Sequence, residues 1–121
     1  MSTADRIKDA LERRDLDGFI GEFDPHAVWL GIRQPDGSAL DCRSRDEIKS
    51  VFDDQVAMGR SGRPEIVAET EDQIVVDMHP EPPEEAWPDL HHVLTVRAGK
   101  VVRMEDFVDR ASALAEVESS N

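Results

Sequence analysis

Cysteine is almost absent from this sequence, basic residues are scarce, and no long apolar run occurs. Each shortage removes a class of protein. The lone cysteine, Cys42, excludes an intrachain disulfide framework and fits a reducing cytoplasm. Basic residues number 14 against 27 acidic ones, a formal charge of −13. So negative a surface repels phosphate backbones and anionic lipid, and neither a nucleic-acid nor a membrane partner is expected. No apolar stretch reaches the length of a membrane span or a signal-peptide core. There is no internal repeat and no low-complexity tract. What is present is a periodic set of apolar residues, 39% of 121, which suffices for one core without staples. A single domain over residues 1–121 is expected, with its ordered part from about residue 4 to 115.

The stretch Leu90–Arg110 organises the rest. It reads as two strands folded back on each other, with Leu94 and Val96 alternating against Val93, Thr95 and Arg97. A two-residue turn would pair odd with even positions and put Arg103 and Glu105 beside Leu94 and Val96. A three-residue loop, Arg97-Ala98-Gly99, keeps even with even. A slip of one residue would expose the apolar set, so the longer loop is the expectation. One face then carries His92, Leu94, Val96, Val102, Met104 and Asp106, with His92 opposite Met104 and diagonal to Asp106.

Earlier segments read as packing around that pair. Ser2 or Thr3 caps a helix with Ile7, Ala10 and Leu11 on one side, and Asp15 caps a second with Leu16, Phe19, Ile20 and Phe23. Asp24-Pro25 ends it. His26–Arg33 reads as a strand, and Gln34-Pro35-Asp36-Gly37 as a type I turn. Ser44 and Glu47 form a capping box for a third helix, with Ile48, Val51, Phe52 and Val56 inward and Gly59 and Gly62 at its end. Strands at Glu65–Thr70 and Gln73–His79 follow, then an acidic proline-rich loop over 80–88 containing Trp87. Asp109 caps a closing helix with Ala111, Leu114 and Ala115 on one side, and Glu118–Asn121 is a frayed tail. Four consecutive strands with hairpin-sized links predict an α+β fold, an antiparallel sheet with the helices on one face. A cavity between helices and sheet is expected.

The helical start running into Val28-Trp29, the helix opening Cys42-Arg43-Ser44-Arg45-Asp46-Glu47-Ile48, and the closing Gly99-Lys100-Val101-Val102-Arg103-Met104-Glu105-Asp106 resemble the nuclear transport factor 2-like superfamily. Within it the chain is most similar to the SnoaL-like polyketide cyclase and ketosteroid isomerase-like branch, from about Ala4 to Ala115. The resemblance implies a cone-shaped α+β fold, a curved mixed or antiparallel sheet wrapped around N-terminal helices, a pocket under the sheet, and homodimers formed through the sheet's outer face. It does not imply one activity, because the superfamily holds enzymes and non-catalytic binders alike. Asp106 falls where cyclase-like members place an acid/base aspartate. Met104-Glu105 stand where the family often carries His-Trp, which takes one polar group off the inner face.

The site residues expected from this reading are Asp106 and His92 as the chemical pair, with Trp29, Phe52, Leu94, Val102 and Met104 around the ligand. Two readings stay open. In one the pocket only binds a small, hydrophobic, carbonyl-bearing molecule. In the other the protein is a cofactorless isomerase, cyclase or dehydratase, with Asp106 as general base and His92 as acid or polariser. A third donor near Asp106, with Thr70 and Arg43 as candidates, would favour catalysis. No cofactor and no metal are expected: His91 and His92 point to opposite faces, and His26 and His79 have no partner at ligand spacing. Cys42 lies near a helix start and Arg43, a setting that lowers thiol pKa, but no base is placed for it and a structural role is expected.

Overall fold

The computed structural model describes residues 2–59, 62–81 and 89–119. Most of the 80–88 loop, Trp87 included, lies outside them, as do Ser120 and Asn121. Among the described residues there are four helices and six strands: α1 (Thr3–Glu12), α2 (Leu16–Gly21), β1 (Phe23–Leu30), β2 (Asp41–Cys42), α3 (Arg45–Ala57), β3 (Gly62–Glu69), β4 (Gln73–Pro80), β5 (Leu90–Arg97), β6 (Lys100–Phe107) and α4 (Arg110–Ser119).

Local chemistry sets the helix starts. Ser2 caps α1 through a reciprocal box with Asp5, and Asp15 caps α2 by accepting from Gly18 N at 3.0 Å. Ser44 caps α3, but Glu47 reaches back to Arg43 N at 3.1 Å rather than to Ser44, so the box is only half formed. α1 runs into a left-handed Arg14 (φ 56) and α3 into a left-handed Gly59 (φ 76). Gly62 opens β3 instead of closing the helix. α2 stops at Gly21, and Phe23, expected on its apolar side, opens β1. Pro25 sits inside β1, in the irregular pairing between Phe23 and Val28 where no regular ladder bond is lost.

The strand order is β2-β1-β6-β5-β4-β3. Every neighbour pair is antiparallel except β1 with β6, which is parallel. That insertion sets Trp29 beside Met104 and Phe23 beside Val101. Helices α1 to α3 pack on the inner face, where Ile7, Phe19, Phe23, Trp29, Ile48, Leu94 and Met104 form the core.

The closing hairpin differs from expectation in an instructive way. Its turn is the two-residue Ala98-Gly99, both with positive φ (52 and 79), between Arg97 and Lys100. A register shift between Thr95 and Val96 then inserts one residue in β6, so even again faces even. His92 therefore pairs with Asp106 directly, not with Met104. Val102 is the inserted residue and is only half-buried, and Val101, fully buried, takes the core position expected for it.

The helices are not all on one face. α4 covers the outer face, where Ala113 and Val117, rather than Ala111 and Ala115, pack on Val75 and Val93. Its first residue, Arg110, donates to the fully buried Asp77 carboxylate from Nε at 2.7 Å. His91 Nδ1 meets the other oxygen at 2.8 Å, and Arg110 also reaches Glu65 at 3.2 Å. Glu65 in turn meets His79 Nε2 at 2.8 Å, and Asp89 meets Nδ1 at 2.8 Å. A carboxylate without accessible surface needs such partners, so the start of α4 is fixed by charge and its remainder by apolar packing.

Two outcomes follow from this packing. Ala98→Asn, which tolerates the left-handed turn better than alanine, should raise stability by about 1 kcal/mol in urea denaturation with an unchanged denaturant slope. The Glu65 carboxylate on Nε2 holds the His79 imidazole above its ordinary 6.5, opposed by burial and reinforced by Asp89. Its contribution is thus complete below pH 6.5 and lost as pH rises through the raised folded value. His79→Asn should flatten the fall in urea midpoint above that pH, and an unchanged slope would show that the imidazole carries no linkage.

Candidate active site

Beneath the inner face lies a cavity of about 360 Å³. Among the described residues its walls come from α1 and α2 (Leu11, Leu16, Phe19), α3 (Phe52, Val56), and the strand ends Pro64, Met78 and Leu90. Trp29 and Phe52 stack with ring centroids 4.9 Å apart at 15°, and Phe19 meets Phe52 edge-on at 5.9 Å. Among the described residues the polar groups that border it are Arg14, Asp15, Gln55 and His92.

Direct pairing of His92 with Asp106 across the β5–β6 ladder points both side chains inward. Nδ1 of His92 lies 2.5 Å from Asp106 Oδ1, and the two side chains are 7% and 8% exposed. The parallel β1 brings in a third group: Trp29 Nε1 donates to the same Oδ1 at 2.8 Å. An indole N–H can only donate and an ionised carboxylate can only accept, so with Asp106 ionised both Trp29 Nε1 and His92 Nδ1 donate to Oδ1. A ring that carries its single proton on Nδ1 has an unprotonated Nε2. Among the described residues Nε2 has no hydrogen-bond partner, and the ring lines the cavity. Asp106 thus holds the imidazole from behind, with its other nitrogen toward the cavity.

Of the expected ligand residues, Trp29 and Phe52 border the cavity with His92. Leu94 and Met104 are buried in the core beneath it, and Val102 lies outside that core. The third donor is Trp29, whereas Thr70 bonds Asp72 and Arg43 bonds Asp41. Arg14, Asp15, Gln55, Met78 and Leu90 were not anticipated. Two of them carried a signal: Leu90 shares the parity of His92, and Gln55 sits three residues beyond Phe52 on the same helix face.

Cys42 is buried in β2 opposite Trp29. Burial pushes its thiol above the usual range, and the Glu47, Asp41 and Asp106 charges add to that, the reverse of the activation its sequence setting suggested. On the outer face, strand pairing gathers Glu65, Asp77 and His79 with ligand-type atoms within 4.8 Å, although His79 has no partner at sequence spacing. The Arg110 guanidinium supplies positive charge between the two carboxylates.

No protein-family model matches the chain, and no curated protein matches it. Solved structures do. An NTF2-like protein of unknown function from Burkholderia pseudomallei is 22% identical with a TM-score of 0.61, over 93% of this chain and 92% of that one. A candidate SnoaL-like polyketide cyclase from Mesorhizobium loti is 16% identical with a TM-score of 0.64, over 88% of this chain and 99% of that one. TerC, co-crystallised with polyporic acid, is 21% identical with a TM-score of 0.61, over 96% of this chain and 95% of that one. The chain has the cone-shaped α+β fold of the NTF2-like proteins, with helices and a curved six-stranded mixed sheet.

The tautomer is measurable. Nitrogen-15 spectra of the wild type should show His92 protonated on Nδ1 and bare on Nε2, and Asp106→Ala should move the ring toward the Nε2–H form. A wild-type ring already protonated on Nε2 would remove the basis for any base at this position.

Proposed function

We propose that this protein takes a small, flat, largely apolar carbonyl compound into the cavity and moves a proton on it, with His92 as the base and Asp106 as its positioning partner. The observation that carries the reading is the shared Oδ1 of Asp106, which accepts from Trp29 and from His92 and leaves Nε2 as a lone pair on the cavity wall. The apolar walls suit an aromatic or unsaturated body, and the stacked Trp29–Phe52 pair offers it a flat surface. Similar folds give support of a coarser kind: one neighbour is a candidate polyketide cyclase and another was crystallised with polyporic acid.

The chemistry balances with the residues present. Nε2 takes the proton from the carbon next to the carbonyl. The C–H electron pair becomes the C=C bond of an enolate, and the ring becomes an imidazolium beside the Asp106 carboxylate. Gln55 is the neutral amide on the cavity wall available to the enolate oxygen. Returning the proton to a different carbon isomerises the substrate, and expelling a β-hydroxyl with that proton dehydrates it. The dyad needs no cofactor for either step. Asp106 in this reading orients rather than abstracts, which changes the role expected of it from sequence.

The experiment is deuterium exchange at the acidic carbon of a panel of aryl ketones and lactones in heavy water, followed by proton spectra, with melting shifts recorded alongside. His92→Gln should slow exchange by roughly a hundredfold or more while leaving the ligand-induced melting shift in place. Compounds that stabilise the protein without any exchange would make it a binding protein, and exchange untouched by His92→Gln would dismiss the dyad.

A further inference from the structure

Among the described residues, the charged ones on the cavity wall are neighbours in sequence, Arg14 and Asp15, at the corner between α1 and α2. Their carboxylate and guanidinium are used differently. Asp15 Oδ1 is turned into the first turn of α2, where it accepts from Gly18 N at 3.0 Å. Arg14 instead reaches across the cavity rim. Nη1 donates to the Gly62 carbonyl at 3.2 Å and Nη2 to Glu81 Oε2 at 3.2 Å, linking the helical corner to the start of β3 and the end of β4.

Arg14 adopts this position with φ 56, a conformation that glycine enters at no steric cost and an arginine does not. A helix end needs only that backbone conformation. The side chain is extra, and it sets a planar fork of N–H donors at the edge of an otherwise greasy chamber. Such a fork matches a carboxylate with two parallel hydrogen bonds. Glu81 already shows that a carboxylate fits there. It also has a second cation, Arg63, with Nε 3.7 Å from its other oxygen. A carboxylate arriving from the cavity can therefore take the place of Glu81 on Arg14 while Glu81 keeps Arg63. The exchange swaps one ion pair for another and leaves no charge stranded.

We infer that the compound bound here is a keto acid, its carbonyl end at His92 and its carboxylate at Arg14, with the apolar body along the aromatic wall. This rests on the reading that the cavity admits a small carbonyl compound, and it adds the second polar end of that molecule. A neutral ketone satisfies one end of the chamber. An acid satisfies both, and Arg14 thereby selects which end enters last.

The test uses para-acetylbenzoic acid and its methyl ester as probes, with dissociation constants from calorimetry and deuterium exchange at the acetyl methyl as an independent readout. On the wild type the acid should bind roughly tenfold tighter than the ester or better. Arg14→Gln should erase that preference and leave the ester's affinity as it was, and Glu81→Gln, which removes the resident carboxylate, should widen it. Equal binding of acid and ester to the wild type overturns the inference, as does a preference that survives Arg14→Gln. Equal weakening of both probes by Arg14→Gln makes the arginine a strut between helix and sheet and overturns it as well. Exchange on both probes without an acid preference leaves proton transfer standing and sinks the keto acid. An Arg14-dependent preference without exchange does the opposite, and two probes that fail to bind dismiss both.

Discussion

A single carboxylate oxygen, Oδ1 of Asp106, accepts hydrogen bonds from Trp29 on β1 and His92 on β5, and it belongs to a residue of β6. Three adjacent strands are thereby joined at one point on the inner face. The constraint works in both directions. A nearly buried carboxylate needs donors, which pins the indole and the imidazole. The pinned imidazole can then turn only its other nitrogen toward the cavity. Aromatic wall and basic lone pair are thus consequences of one satisfied acceptor.

The two faces of the sheet use the same motif to different ends. His91 and His92 are successive residues, and each presents Nδ1 to an aspartate on a neighbouring strand: Asp77 outside, Asp106 inside. Outside, the second partner of the aspartate is the full charge of Arg110, and α4 closes over the pair's surroundings. That arrangement holds a helix in place. Inside, the second partner is a neutral indole, and an open chamber lies beyond the ring. A neutral donor leaves the carboxylate's charge available to an imidazolium, which a guanidinium would have compensated already. The difference in partner separates the latch that holds α4 from the pair proposed above as the proton-transfer centre.

Much of this was legible in local pattern. Alternation placed His92, Leu94, Met104 and Asp106 on one face of the closing hairpin, and that face is the inner one. Spacings of three and four marked α1, α2 and α3, with caps at Ser2, Asp15 and Ser44. Other features depended on distant residues. The parity of the hairpin is right for a reason the sequence does not display: a tight turn at Ala98-Gly99 together with an inserted Val102 does the work of a longer loop. Either solution satisfies the burial of Leu94 and Met104, so alternation alone does not choose between them. Ala111 and Ala115 looked as apolar as Ala113 and Val117, and only contact with Val75 and Val93 decides which side of α4 is buried.

By itself the sequence determined most element types and the shared inward face of His92, Leu94, Met104 and Asp106, because periods of two and of three to four residues express backbone geometry at short range, while the direct pairing of His92 with Asp106 came from the tertiary register. Tertiary structure alone decided that β1 would lie parallel to β6, that Trp29 would share the acceptor of His92, that α4 would cross to the outer face and that Arg14 would reach Glu81. Those choices join residues up to 78 positions apart, as in the pairing of Phe23 with Val101. They follow from how the whole apolar surface is buried at once, a quantity that no short window of sequence contains.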